Sequence, residues 1–150
     1  MLKRAATSYH GRGSPLNVIQ GSYTDAVAAS FGTHAGGGAV DISVRVALTS
    51  SVILSETEQL DLVRALREAG FAAWLRLPTD LNPPTSLHIH AIAIGDAELS
   101  EAARRQLAGP EGYFRGDDGI PPAWGGPHPD RYGGLIICGW MTRLGFADLR

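Results

Sequence analysis

Two short stretches of this chain concentrate side chains able to bind a metal ion. The first, Thr33-His34-Ala35-Gly36-Gly37-Gly38-Ala39-Val40-Asp41, sets a histidine and an aspartate on either side of a glycine run. The second, Leu87-His88-Ile89-His90, puts two histidines on one face if the segment is a strand, because strand side chains alternate. Two imidazoles and a carboxylate are donors that catalytic zinc uses when water takes the remaining position. The glycines let the backbone turn sharply, so the loop histidine can fold back beside Asp41. A phosphate-cradling reading is weak, since no Gly-Lys-Ser/Thr follows. Taken alone, the first stretch is equally well read as a tight turn in which His34 and Asp41 bond each other. Taken alone, His88 and His90 are equally well surface residues on a strand.

The elements that must position these groups are legible on either side of them. Ala39 to Val46 alternates, with Val40, Ile42, Val44 and Val46 on one side and Asp41, Ser43 and Arg45 on the other, the pattern of a half-buried strand. Ser55-Glu56-Thr57-Glu58 is a capping box opening a helix to about Ala69. Leu62, Val63, Leu66 and Ala69 form its buried stripe, and Gly70 ends it. Asn17 to Gln20 and Phe71 to Leu77 read as strands, and Pro78 to Pro84 as a loop. Leu87 to Ile94 reads as a strand apolar on both faces beyond its histidines, which are expected at its surface end. A second helix is expected from about Ser100 to Leu107. Short connections between these elements predict an α+β fold, a largely antiparallel sheet with helices packed on one face. The strands Ala39–Val46 and Leu87–Ile94 are expected as neighbours, with the 56–69 helix on the face opposite the site.

Composition bounds the function. At 150 residues the chain fits one domain with a sizeable core. The net charge of −2 gives no electrostatic case for nucleic-acid binding. No apolar run approaches the ~20 residues of a membrane span. The lone Cys138 cannot form an internal disulfide. The basic start, Met1-Leu2-Lys3-Arg4, is not followed by the apolar core of a signal peptide, so the default expectation is a cytoplasmic protein or one exported by a route the chain does not encode. From Gly109 onward glycine and proline crowd the chain, which divides it into a 1–108 core and a 109–150 extension, expected to belong to the same domain. Within that extension Leu135 to Trp140 reads as an edge strand.

The combined motif resembles a known family. Thr33-His34-x-x-Gly37-x-Ala39-Val40-Asp41 is similar to the H-x-x-G-x-A-x-D signature of the M15 peptidases, zinc D-alanyl-D-alanine peptidases that share their fold with the Hedgehog signalling domain. His88-x-His90 resembles the second half of that signature in one branch. The resemblance covers roughly Gln20 to Asp96. It implies a Hedgehog/DD-peptidase-like fold, Zn²⁺ held by His34, Asp41 and His90, and His88 handling protons beside it. It also implies hydrolysis of a peptide substrate, peptidoglycan-derived or similar, with Gln20, Ser22 and Tyr23 shaping the cleft. Bound zinc lowers the pKa of its water from ~15.7 toward ~7, and a histidine with an ordinary pKa near ~6.5 suits proton transfer there.

The chain departs from the signature at three places. Gly32 stands where a serine is usual, Leu87 where a glutamate base is usual, and no arginine or lysine lies between Arg12 and His34 to polarise the scissile carbonyl. Arg12 or Arg4 is then the candidate for that role. These departures keep open a second reading, a non-catalytic zinc-stabilised binding module on the same fold. Outside the motif, Asp96 is expected in a helix N-terminus rather than as a ligand, Asp117-Asp118-Gly119 as a solvated turn, and Trp74 in the core. His10 and His128 are spare donors. Trp124, Tyr132 and Trp140 cover either the cleft or the sheet edge.

Overall fold

The computed structural model describes residues 1–24 and 28–146. Helix α1 spans Leu2–Ser8 and strand β1 Val18–Gln20. Strand β2 runs Ala39–Ser43, helix α2 Glu56–Ala69, β3 Phe71–Arg76, β4 His88–Ala93, helix α3 Glu101–Ala108 and helix α4 Gly139–Arg143. The strands form one antiparallel sheet in the order β1-β2-β4-β3, an α+β arrangement. β2 and β4 are direct neighbours, with Asp41 opposite His90 and Ser43 opposite His88. Among the described residues, no helix is long and apolar enough to cross a membrane.

One face of the sheet packs on α2. The capping box forms as read: Ser55 Oγ accepts from the Glu58 N–H and the Glu58 carboxylate accepts from the Ser55 N–H. Gly70 ends the helix in the left-handed region, at φ 112°. Leu62, Val63 and Leu66 are buried against Ile42, Ala73, Leu75, Ile89 and Ala91, each large side chain contributing ~1.5–3 kcal/mol by burial. Helix α1, absent from the sequence reading, adds Ala5 to this layer.

The expectation of helices on one face only is corrected. The second face carries Ala39, Ala72, Trp74 and Ile92, and α3 covers it through Ala103 and Leu107, joined by Tyr113, Phe114 and Met141 from the Gly/Pro-rich extension. A sheet apolar on both faces must be covered on both, so the extension is built into the core. Two element boundaries also move. The β2 ladder ends at Ser43, and the chain beyond it doubles back as Leu54 donates to the Val44 carbonyl and Arg45 bridges Ile53. Leu135–Trp140 is not an edge strand. The Ile136 N–H bonds the Tyr113 hydroxyl instead of a strand, and α4 begins at Gly139.

Candidate metal centre

The side chains of Asp41, His88 and His90 point to the second face, where alternation and register put them on adjacent strands. His34 reaches the same place from a 3-10 turn, Thr33–Ala35, that precedes β2. The glycine run locks this turn against the start of α3. A Cβ on Gly36 would lie 2.3 Å from the Glu98 carbonyl oxygen, and Gly38 sits at φ 76°, so neither position accepts another residue without movement. Gly37 donates to the Glu98 carbonyl, and the cap residue of α3, Ser100, donates its hydroxyl to the Thr33 carbonyl.

His34, Asp41 and His90 converge. One potential ligand atom from each lies within 4.8 Å of the others, and all three residues are buried. Asp41 Oδ1 is 3.2 Å from His34 Nε2 and 2.8 Å from His90 Nδ1. The outward nitrogens explain why the inward ones point there. His34 Nδ1 lies 3.0 Å from the Gly21 carbonyl, which can only accept, so Nδ1 carries a proton and Nε2 presents its lone pair in the neutral ring. His90 Nε2 lies 3.0 Å from Gln106 Oε1, an acceptor that would hold the ring proton if an ion displaced the one between Nδ1 and Asp41 Oδ1. Trp74 stacks near-parallel to the His90 ring, at 6.1 Å, and fixes its plane. His34 Nε2 is buried and has no aligned hydrogen-bond partner, Asp41 included.

Three potential ligand atoms this close together could hold a metal ion. Burial alone would raise the Asp41 carboxyl, but the His34 and His90 imidazoles against it and the charge of nearby His88 outweigh that and hold the group ionised, well below the usual carboxylate range. Burial opposes charge on His34, yet the Asp41 carboxylate and the Gly21 and Ala39 carbonyls raise its proton affinity above the ordinary value. Burial lowers His90, with the charges of His34 and Arg76 acting the same way against Asp41. One proton shared around an ionised aspartate thus satisfies the cluster, and a divalent ion with these donors would take its place. The nitrogen and carboxylate set suits zinc.

No protein-family model, no curated protein and no solved structure matches this chain. The geometry therefore stands on its own.

The centre lies in the wall of a cavity of about 170 Å³ that also includes Gln20, Phe31, Arg76 and His88. His88 sits beside the three donors. Its Nδ1–H donates to the Ser86 carbonyl at 2.6 Å, and Nε2 stands 3.8 Å from Asp41 Oδ2. The expectation that His88 and His90 lie near the surface is corrected: each is 6% exposed, in a cavity wall they share with Ser30, Phe31 and Gln106 of α3.

The cleft residues inferred from resemblance separate. Gln20 lines the cavity and donates to Ser30 Oγ. Ser22 donates to the Ala39 carbonyl and pins the segment that holds His34. Tyr23 is exposed, at φ 59°, with its hydroxyl on Glu98. Arg12 is not brought to the site. It pairs with Glu58 at 2.7 Å, at the start of α2 on the far face. Asp96 accepts from the Glu98 N–H in the turn before α3, outside the cluster. Asp118 is no solvated turn residue, since its buried carboxylate accepts from the Ile120 and His128 N–H groups and pairs with the His128 ring. Of the three aromatic residues of the extension, Trp124 packs at a tilt against Phe31 of the cavity wall, with ring centroids 4.2 Å apart, whereas Tyr132 and Trp140 pack on the two cores.

Sequence reasoning missed Gln106 and Arg76. Gln106 lies on the buried side of α3 with Ala103 and Leu107, a faint signal as a lone polar residue on an apolar stripe. Arg76 closes the otherwise apolar β3, in the register opposite His88.

Proposed function

We propose that this chain is a zinc-dependent peptidase acting on peptidoglycan-type peptides, on a Hedgehog/DD-peptidase-like fold. The observation that carries the reading is the convergence of His34 Nε2, Asp41 Oδ1 and His90 Nδ1 in the wall of a cavity, with a further histidine beside them. The signature spacing that first suggested the family supports the same assignment. His34, Asp41 and His90 would hold Zn²⁺, which supplies Lewis acidity and activates water for hydrolysis.

The remaining work falls to residues of the chain. The Gly21 carbonyl and Gln106 keep the two imidazoles turned inward, as groups behind metal-bound histidines do. Asp41 supplies the negative charge that offsets a bound cation. His88 is the proton carrier: with Nδ1 committed to Ser86, its Nε2 is the ring atom that faces Asp41 and the cavity.

Hydrolysis of peptidoglycan peptides by the zinc-loaded protein, abolished by a chelator and restored by zinc, tests the proposal. A second reading, a non-catalytic zinc-stabilised binding module, draws on Leu87, which packs toward the α2 core where the resembling family carries its glutamate base. Zinc at full occupancy, with no turnover of any peptide, would favour that reading.

A further inference from the structure

A second cavity, of about 920 Å³, opens at the end of the sheet where β2 and β3 begin and β4 finishes. Among the described residues it shares no lining residue with the cavity of the metal centre, and it is far larger. The sheet end contributes Val40, Phe71 and Ile94, α1 contributes Leu2, and the extension contributes Trp140 and Phe146. The last two rings meet edge to face, with centroids 6.0 Å apart. Apart from Lys3, Arg4 and Asp96, every lining residue is aliphatic, aromatic, methionine or glycine. Ligand sites have this character, mostly apolar with a few polar groups, and run to ~300–1,000 Å³. Large apolar side chains are also left in water around it, Leu144 being 69% exposed and Met1 46%.

The charges of the lining indicate what head group an occupant carries. Lys3 and Arg4 are exposed on α1, and neither forms an ion pair among the described residues. Asp96, the one acid among the described lining residues, turns Oδ1 to the Glu98 N–H. Two cations thus stand against one carboxylate. Lysine and arginine lay their stems along hydrocarbon while their heads stay in water, so an anion beside them can be the end of an apolar body.

We infer that this cavity binds a single acyl chain ended by an anionic head group, the chain against the sheet end and the head on Lys3 and Arg4. The inference goes beyond the peptidase reading and does not depend on it, since the two cavities have separate linings.

Titration with saturated carboxylates from octanoate to dodecanoate, each below its micelle concentration, tests it by calorimetry and tryptophan fluorescence. Affinity should rise about fourfold with each added methylene, the burial of one methylene expressed as an equilibrium ratio. Decanoate should bind about tenfold more tightly than decyltrimethylammonium, its cationic counterpart. The double variant Lys3→Glu/Arg4→Glu, altered only at exposed positions, should erase that preference. Trp140→Phe should still bind in the calorimeter but lose the fluorescence response. Chelation of zinc should leave all of this unchanged, which separates the result from any outcome of the peptidase assay. No binding of any chain overturns the inference, as does affinity independent of chain length. So does an anion preference that survives the double variant. Binding to phosphatidylglycerol vesicles without binding of the monomeric carboxylates also overturns it, in favour of a membrane surface.

Discussion

Gln106→Leu removes the acceptor that holds His90 in one tautomer while nearly conserving volume. Gln106 is buried on α3, with Oε1 3.0 Å from His90 Nε2. Leucine leaves a buried N–H without a partner, a loss of ~1–3 kcal/mol. It also frees the ring to present the wrong nitrogen to Asp41. Loss of the outer hydrogen bond of a metal-bound histidine costs ~10–100-fold in affinity, which at ~1.4 kcal/mol per decade is ~1.4–2.8 kcal/mol. The two routes to the magnitude agree. Competition for zinc against a chromophoric chelator should therefore show Kd raised ~10–100-fold in Gln106→Leu, with the far-UV dichroism of the wild type. Gln106→Glu keeps an acceptor and should stay near wild type. Leucine binding zinc within about twofold of wild type would refute the role given to Gln106 and weaken that of His90 as a ligand.

His88→Ala should keep its zinc and lose ~10²–10⁴-fold in turnover, the range of a general acid–base group. Zinc loss equal to that of His90→Ala would make His88 a ligand instead. The metal-free protein should be most stable near pH ~6.5. Ionised Asp41 and neutral His90 favour the fold as pH rises toward that value, and the raised proton affinity of His34 costs stability as pH climbs beyond it. The rise in Tm caused by zinc should accordingly grow between about pH 6 and 8, as the ion replaces the proton on His34, and a pH-independent rise would contradict this. Ser55→Ala should lower stability by ~0.5–2 kcal/mol in denaturant titration and leave zinc affinity unchanged, because α2 packs on the face away from the site.

Local pattern carried most of what could be read in advance. The alternation of Val40 and Ile42 around Asp41, the Ser55–Glu58 capping box and the two-residue spacing of His88 and His90 are each set by neighbours within a few positions, and each has its counterpart in the structure. Missing from the sequence reading were relations across long separations. Arg76 is held by the carbonyl of Asp118, and His90 by Gln106, partners that no periodicity links. The second face of the sheet is covered by α3 and by an extension rich in glycine and proline that looked like loose chain. That extension is held by Arg67, which pairs with the buried Asp130 at 2.7 Å and bonds the Tyr132 and Gly134 carbonyls. Arg12 illustrates the opposite error. The arginine that the resembling family carries upstream of its first ligand suggested a catalytic role, and a carboxylate on the cap of α2 claims Arg12 instead.

The central claim is that His34, Asp41 and His90 together hold one metal ion, and elemental analysis of the purified protein and its single variants tests it most directly. About one zinc per chain is expected in the wild type and in His88→Ala, with stoichiometric zinc lost from His34→Ala, Asp41→Ala and His90→Ala while each retains native dichroism. A folded wild-type protein that takes up no zinc when the ion is supplied, or variants at all three positions that retain it, would contradict the account.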